Sequence, residues 1–164
     1  MNYKNSLKNA KNLADIFHLV KCVVKNHLGI DQAGLLLGLS DLSLYENSYL
    51  GAFYSFDANT IVINKRPLNN IMQTSPRLYN PYIFHVLLHE YIHSLGVVEE
   101  PHVKQLVYEV TEKYFGKNHL ATQMAFDLER FIPNLTFETN FEPAGDLSIE
   151  FVSGIDRDNT NYIM

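Results

Sequence analysis

IFHVLLHEYIHSLGVVEEPHVKQLVYEVTE, residues 83–112, decides how the chain is read. At its centre stand His89, Glu90 and His93, in the order HEYIH. Tyr82, Ile83, Phe84, Val86, Leu87, Leu88, Tyr91, Ile92 and Leu95 make the segment apolar nearly all round, the pattern of a buried helix. Residues four apart on a helix lie one above the other. His89 and His93 can therefore offer two imidazoles to one Zn²⁺ at about 2.0–2.1 Å each. Glu90, one position round, can reach a water on that metal and take its proton. Two histidines and a glutamate inside a buried helix are costly unless they have partners, and a metal is the simplest partner. The plain alternative is a pair of satisfied core histidines with a glutamate at the helix surface.

Outward from the motif, Asn80-Pro81 reads as a helix start, with Asn as cap and Pro in the first turn. The helix spans about 81–95 and stops near Gly96. Glu100-Pro101 opens the next helix, which ends before Gly116. Asn118 caps a third through Arg130, and Pro133 closes it. Upstream, 65–80 carries two prolines and many polar residues and reads as a loop. GAFYSFDANTIVINK, 51–65, reads as a β-hairpin turning at Asp57-Ala58-Asn59-Thr60. Residues 30–50 are apolar with glycines, either a strand or a buried turn. Residues 5–28 follow helical spacing and close at Gly29. Beyond Pro133, Thr136–Thr139 and Leu147–Val152 alternate like strands. These elements predict one α+β domain over 1–164, a helical bundle carrying the motif on a small antiparallel sheet.

HEYIHSLG resembles the zinc motif of the zincin metallopeptidases. Gly96 stands where metzincins carry a glycine, but Glu99 occupies their third-ligand position. YEVTEKYFG, around Glu109, is similar to the glutamate helix of the gluzincins, and the small size suits their minimal members, the minigluzincins. The resemblance covers roughly residues 52–116. It implies Zn²⁺ held by His89, His93 and Glu109, with Glu90 as catalytic base and then acid in peptide-bond hydrolysis. It also implies a role for Ile61–Ile63 as the edge strand to which a peptide substrate adds.

Helical phase bears on the third ligand independently. Glu99, Glu100, His102, Glu109, Glu112 and His119 are the candidates. At about 100° per residue, Glu109 lies some 60° from Leu106, at the rim of the apolar face, whereas Glu112 points away. Against Glu109 stands distance: nine residues of helix is roughly 13 Å of travel. Glu109 is preferred, with Glu99, Glu100, His102 and His119 open. His85, one turn before His89, reads as a core or surface histidine that could also serve the site. His18 and His27 read as surface or cap residues. His119 reads as a cap that could alternatively stabilise an oxyanion, and neither Tyr91 nor Tyr108 is favoured for such a role.

A net charge of −5 argues against nucleic acid or an anionic membrane as partner. The single cysteine, Cys22, excludes an internal disulfide and suits the cytoplasm. No run is long and apolar enough for a membrane span, and the first residues, MNYKNSLKNAKN, lack the apolar core of a secretion signal. The partner expected is a peptide or protein substrate. The tail, 133–164, either completes the sheet or restrains the site. As a restraint, Asp146, Glu150, Asp156 or Asp158 could offer the metal an oxygen, or Leu147–Val152 could pair with Ile61–Ile63. The alternative function is a metal-binding structural or regulatory protein closed by four protein ligands. A further one is an interaction domain without metal.

Overall fold

The computed structural model describes residues 1–42, 49–137 and 147–155. Helices α1 (Tyr3–Lys8) and α2 (Leu13–Leu28) open the chain. Asn12 divides what periodicity reads as one helix. Its side chain accepts from Asp15 N at 2.8 Å, satisfying a donor that a new helix start would otherwise leave unpaired. Gly29 ends α2 at φ 70°, the left-handed cap expected there.

The sheet contains β1 (Leu36–Ser40), β2 (Ala52–Ser55), β3 (Thr60–Asn64) and β4 (Glu150–Phe151), in the order β2-β3-β1-β4. The expected hairpin is β2–β3. The ambiguous 30–50 stretch supplies β1, which runs parallel to β3 and makes the sheet mixed instead of wholly antiparallel. Side chains alternate across β3. Ile61 and Ile63 enter the main core, while Val62 joins Leu42, Leu50 and Phe53 in a small cluster on the other face. β3 is thus paired on both sides and buried on both faces, so it cannot be the open edge expected of Ile61–Ile63. Nor does the described part of the tail pair with it, since β4 pairs with Gly38 and Leu39 of β1.

After the sheet come α3 (Lys65–Thr74), a 3₁₀ turn (Pro76–Leu78), α4 (Tyr79–Ser94), α5 (Glu100–Phe115) and α6 (Leu120–Phe126). The expected loop at 65–80 is therefore largely helical. Asn64 accepts from Arg66 N at 3.1 Å, and Pro67 falls in the first turn, where a missing N–H costs nothing. α4 begins before Asn80. That side chain donates to the carbonyls of Leu7 and Ala10, tying α1 to α4 where a cap was expected. α6 stops at Phe126, short of the expected Arg130.

α4 organises the rest. Every residue from Pro81 to Ser94 is buried, with α2, α5, α6, β2 and β3 packed around it. Among the described residues no helix is long and apolar enough to cross a membrane.

Candidate metal centre

Tyr82, His85, His89 and His93 follow one another at helical spacing down one side of α4. Past Ser94 the chain reverses at Gly96, whose φ of 103° is a conformation that L side chains rarely adopt. Four residues later α5 begins, and its first residue is Glu100. The reversal brings that carboxylate onto the two imidazoles. Glu100 Oε1 lies 2.7 Å from His93 Nε2, and Oε2 lies 3.0 Å from His89 Nε2. The three ligand atoms lie within 4.8 Å of one another.

His93 Nδ1 stands 2.8 Å from Val97 O. A carbonyl only accepts, so Nδ1 carries hydrogen, and Nε2 is the nitrogen turned toward Glu100, 2.7 Å from Oε1. Such a second hydrogen bond fixes the tautomer of a ligating histidine. Among the described residues, the one polar atom close to His89 Nε2 is Glu100 Oε2, at an ion-pair distance of 3.0 Å and without the direction of a full hydrogen bond. Two imidazole nitrogens and a carboxylate oxygen are a donor set that suits zinc. The Glu100 oxygens stand at hydrogen-bonding distance from the two imidazoles, so the side chains would have to part for His89, His93 and Glu100 to hold the ion.

Electrostatics around the cluster follow burial. The His89 pKa is lowered by burial, against which Glu100 acts in the opposite direction. Burial pushes the His85 ring down to about 3, with His89 and Lys104 adding to the effect. Glu90, 3% exposed, has its pKa driven well up by burial and then by the Glu100 carboxylate.

An aromatic ring covers the histidines. Phe137 stacks on His89 with centroids 4.7 Å apart and planes 25° apart, and meets His85 edge-on at 6.4 Å. Backbone pairing holds it there: Thr136 N donates to Tyr49 O at 2.8 Å, and Gly51 N donates to Thr136 O at 3.0 Å. Gly51 leaves the space for the ring, because a Cβ there would stand 2.9 Å from Phe137 Cε1 and Cζ.

His89, Glu90 and His93 thus share one buried stretch of α4, as the spacing predicts. Glu109 does not join them. It is exposed and accepts from Gln105 Nε2 at 3.1 Å along the surface of α5. Glu100 stands in its place, because α5 starts beside His93 and each further turn carries a side chain away. Glu99 precedes α5 in extended conformation, and His102 is exposed. Glu112 interacts with Tyr108. His119 Nδ1 accepts from Ala121 N at 3.1 Å, the capping role. His18 lies 3.6 Å from Cys22 Sγ, and Tyr91 accepts from Gln32 N. Of the tail carboxylates, Glu150 pairs with Lys65 at 2.7 Å, while Asp146, Asp156 and Asp158 lie outside the described residues. The sequence carried no signal for Phe137. For Glu100 the signal was its place at the first turn of the following helix. Among protein-family models, curated proteins and solved structures, none matches the chain.

Proposed function

We propose that the protein is a zinc-dependent peptidase whose metal is held by His89, His93 and Glu100. The observation that carries this reading is the convergence of three donor atoms from two helices, with His93 held in the ligating tautomer by Val97 O. When bound, zinc supplies a Lewis acid that polarises the scissile carbonyl and activates water. Glu90 neighbours that centre as the base that takes the water proton and returns it to the leaving amine. HEYIHSLG, with its zincin resemblance, is the reason for choosing a peptide as the substrate. A single cysteine, the half-buried Cys22, suits a reducing compartment such as the cytoplasm.

One observation favours restraint of the site. The Phe137 ring lies on a ligand histidine, and its backbone is tied to the segment leading into β2. A latent peptidase and a closed structural metal site both fit this cover. Two measurements separate the readings. Metal analysis of zinc-loaded protein is expected to give about one zinc per chain, lost in His93→Ala. Peptide cleavage is expected to vanish in Glu90→Gln while the zinc stays. Zinc without cleavage, even after Phe137 is removed, supports the structural site. Full zinc content in His89→Ala/His93→Ala refutes both.

A further inference from the structure

At the opposite end of α4 from the histidine cluster lies a cavity of about 730 Å³, within the range of small-ligand sites. Its walls come from α1, the end of α3, the 3₁₀ turn, the first turn of α4 and the start of α6. Lys4 and Lys8 stand one turn apart on α1, Arg77 comes from the 3₁₀ turn, and His119 comes from the start of α6. Among the described residues, no aspartate or glutamate lines the space. That is unexpected in a chain with 18 acidic and 13 basic residues. Among the described residues, Lys4, Lys8 and Arg77 form no ion pair.

Other groups add to the positive character. Because His119 Nδ1 accepts from Ala121 N, the neutral ring carries its hydrogen on Nε2, as a donor. Burial first, and then Lys4, holds the His119 pKa below its ordinary value, so the Lys4 charge is felt at the ring. The start of α4 has no side-chain cap, and the positive end of a sixteen-residue helix lines the space. Leu7, Met72, Tyr79 and Leu120 supply apolar wall, and the neutral amides of Asn5, Asn80 and Asn118 also border the space.

We propose that this cavity binds a small organic anion, its carboxylate or phosphate head held among Lys4, Lys8, Arg77 and His119 and its apolar body against Leu7, Met72, Tyr79 and Leu120. Cations from two elements, α1 and the 3₁₀ turn, line the same space as the His119 donor, so one head group can take charge-assisted hydrogen bonds from both. An inorganic anion would use the head site alone. A neutral molecule of the same shape would leave the cations unanswered.

The test titrates full-length protein with octanoate, octyl phosphate, inorganic phosphate and neutral octanol. Binding is followed by calorimetry and by the ring signals of His119, assigned through His119→Asn. Octanoate or octyl phosphate should saturate with a shift at His119. Inorganic phosphate should bind more weakly, and octanol at least ten-fold more weakly. Lys4→Gln/Lys8→Gln/Arg77→Gln, three exposed positions, should melt as the parent does and lose ten-fold or more in affinity. Sedimentation with vesicles of anionic phospholipid identifies the source of the head group, since binding there as well as to the free anions points to a lipid. Absence of saturation by any free anion overturns the proposal, as do octanol binding as tightly as octanoate and unchanged affinity in the triple variant. Vesicle binding without free-anion saturation overturns it too, in favour of a surface charge effect.

Discussion

Glu100 and Glu109 lie on the same helix, yet one meets the histidines and the other meets solvent. The difference is the length of the turn. Gly96 reverses the chain so tightly that α5 starts beside His93, and only its first turn remains within reach. Glu100→Ala is therefore expected to weaken zinc binding by a hundred-fold or more, whereas Glu109→Ala should leave it unchanged. Competition with a chromophoric chelator measures both, and the reverse order of effects would reject Glu100 as ligand. The HEYIH spacing was legible because it depends only on the period of one helix. Glu100 was legible as one candidate among several, because choosing it requires the path of a turn. Gly96→Ala probes that path directly. Nothing stands within 4 Å of the added Cβ, so the cost is backbone strain alone, about 1–3 kcal/mol. Urea unfolding should show that loss together with weaker zinc binding, and a neutral result would mean that the turn relaxes without cost.

Among the elements, those set by local chemistry were readable and those set by pairing were not. The β2–β3 hairpin follows from two β-rich runs around an Asp/Asn turn. The β1–β3 pairing is parallel and joins segments with β2 and its connections between them, and no local pattern specifies it. That unseen pairing turned β3 from an expected edge into a central strand. The helix α3 was hidden by Pro67, which reads as a breaker unless Asn64 is seen as the cap. The tail divides. Glu150–Phe151 completes the sheet beside β1, while Thr136–Phe137 lies over the histidines. If the cover restrains a peptidase, Phe137→Ala should raise peptide turnover several-fold at fixed zinc. The ring is half-buried, so its loss should cost about 1–2 kcal/mol, less than the 3–5 kcal/mol of a fully buried phenylalanine. Turnover at or below the parent level in folded, zinc-loaded Phe137→Ala would remove the restraining role.

Across the whole molecule, one helix is both the centre of the core and the carrier of the site. Leu87 and Ile92 on α4 are fully buried on the same helix as His89 and His93. If the cluster holds zinc, stability and metal affinity are linked through a shared native state. Leu87→Ala should cost about 2–5 kcal/mol, a large part of the 5–15 kcal/mol typical of a domain. A ligand that binds only the folded chain returns stability by mass action, about 4 kcal/mol at a thousand-fold excess over its dissociation constant. For a chain of this size that is a rise in melting temperature of roughly 8–16 °C. Zinc should thus raise the melting temperature of the parent and of Leu87→Ala by similar free energies, and should do nothing for His93→Ala. A metal-free His93–Glu100 ion pair predicts the opposite: no zinc dependence in any of the three. Calorimetric scans with and without a chelator decide between them, because the core mutation shifts every curve while only an intact donor set responds to the metal.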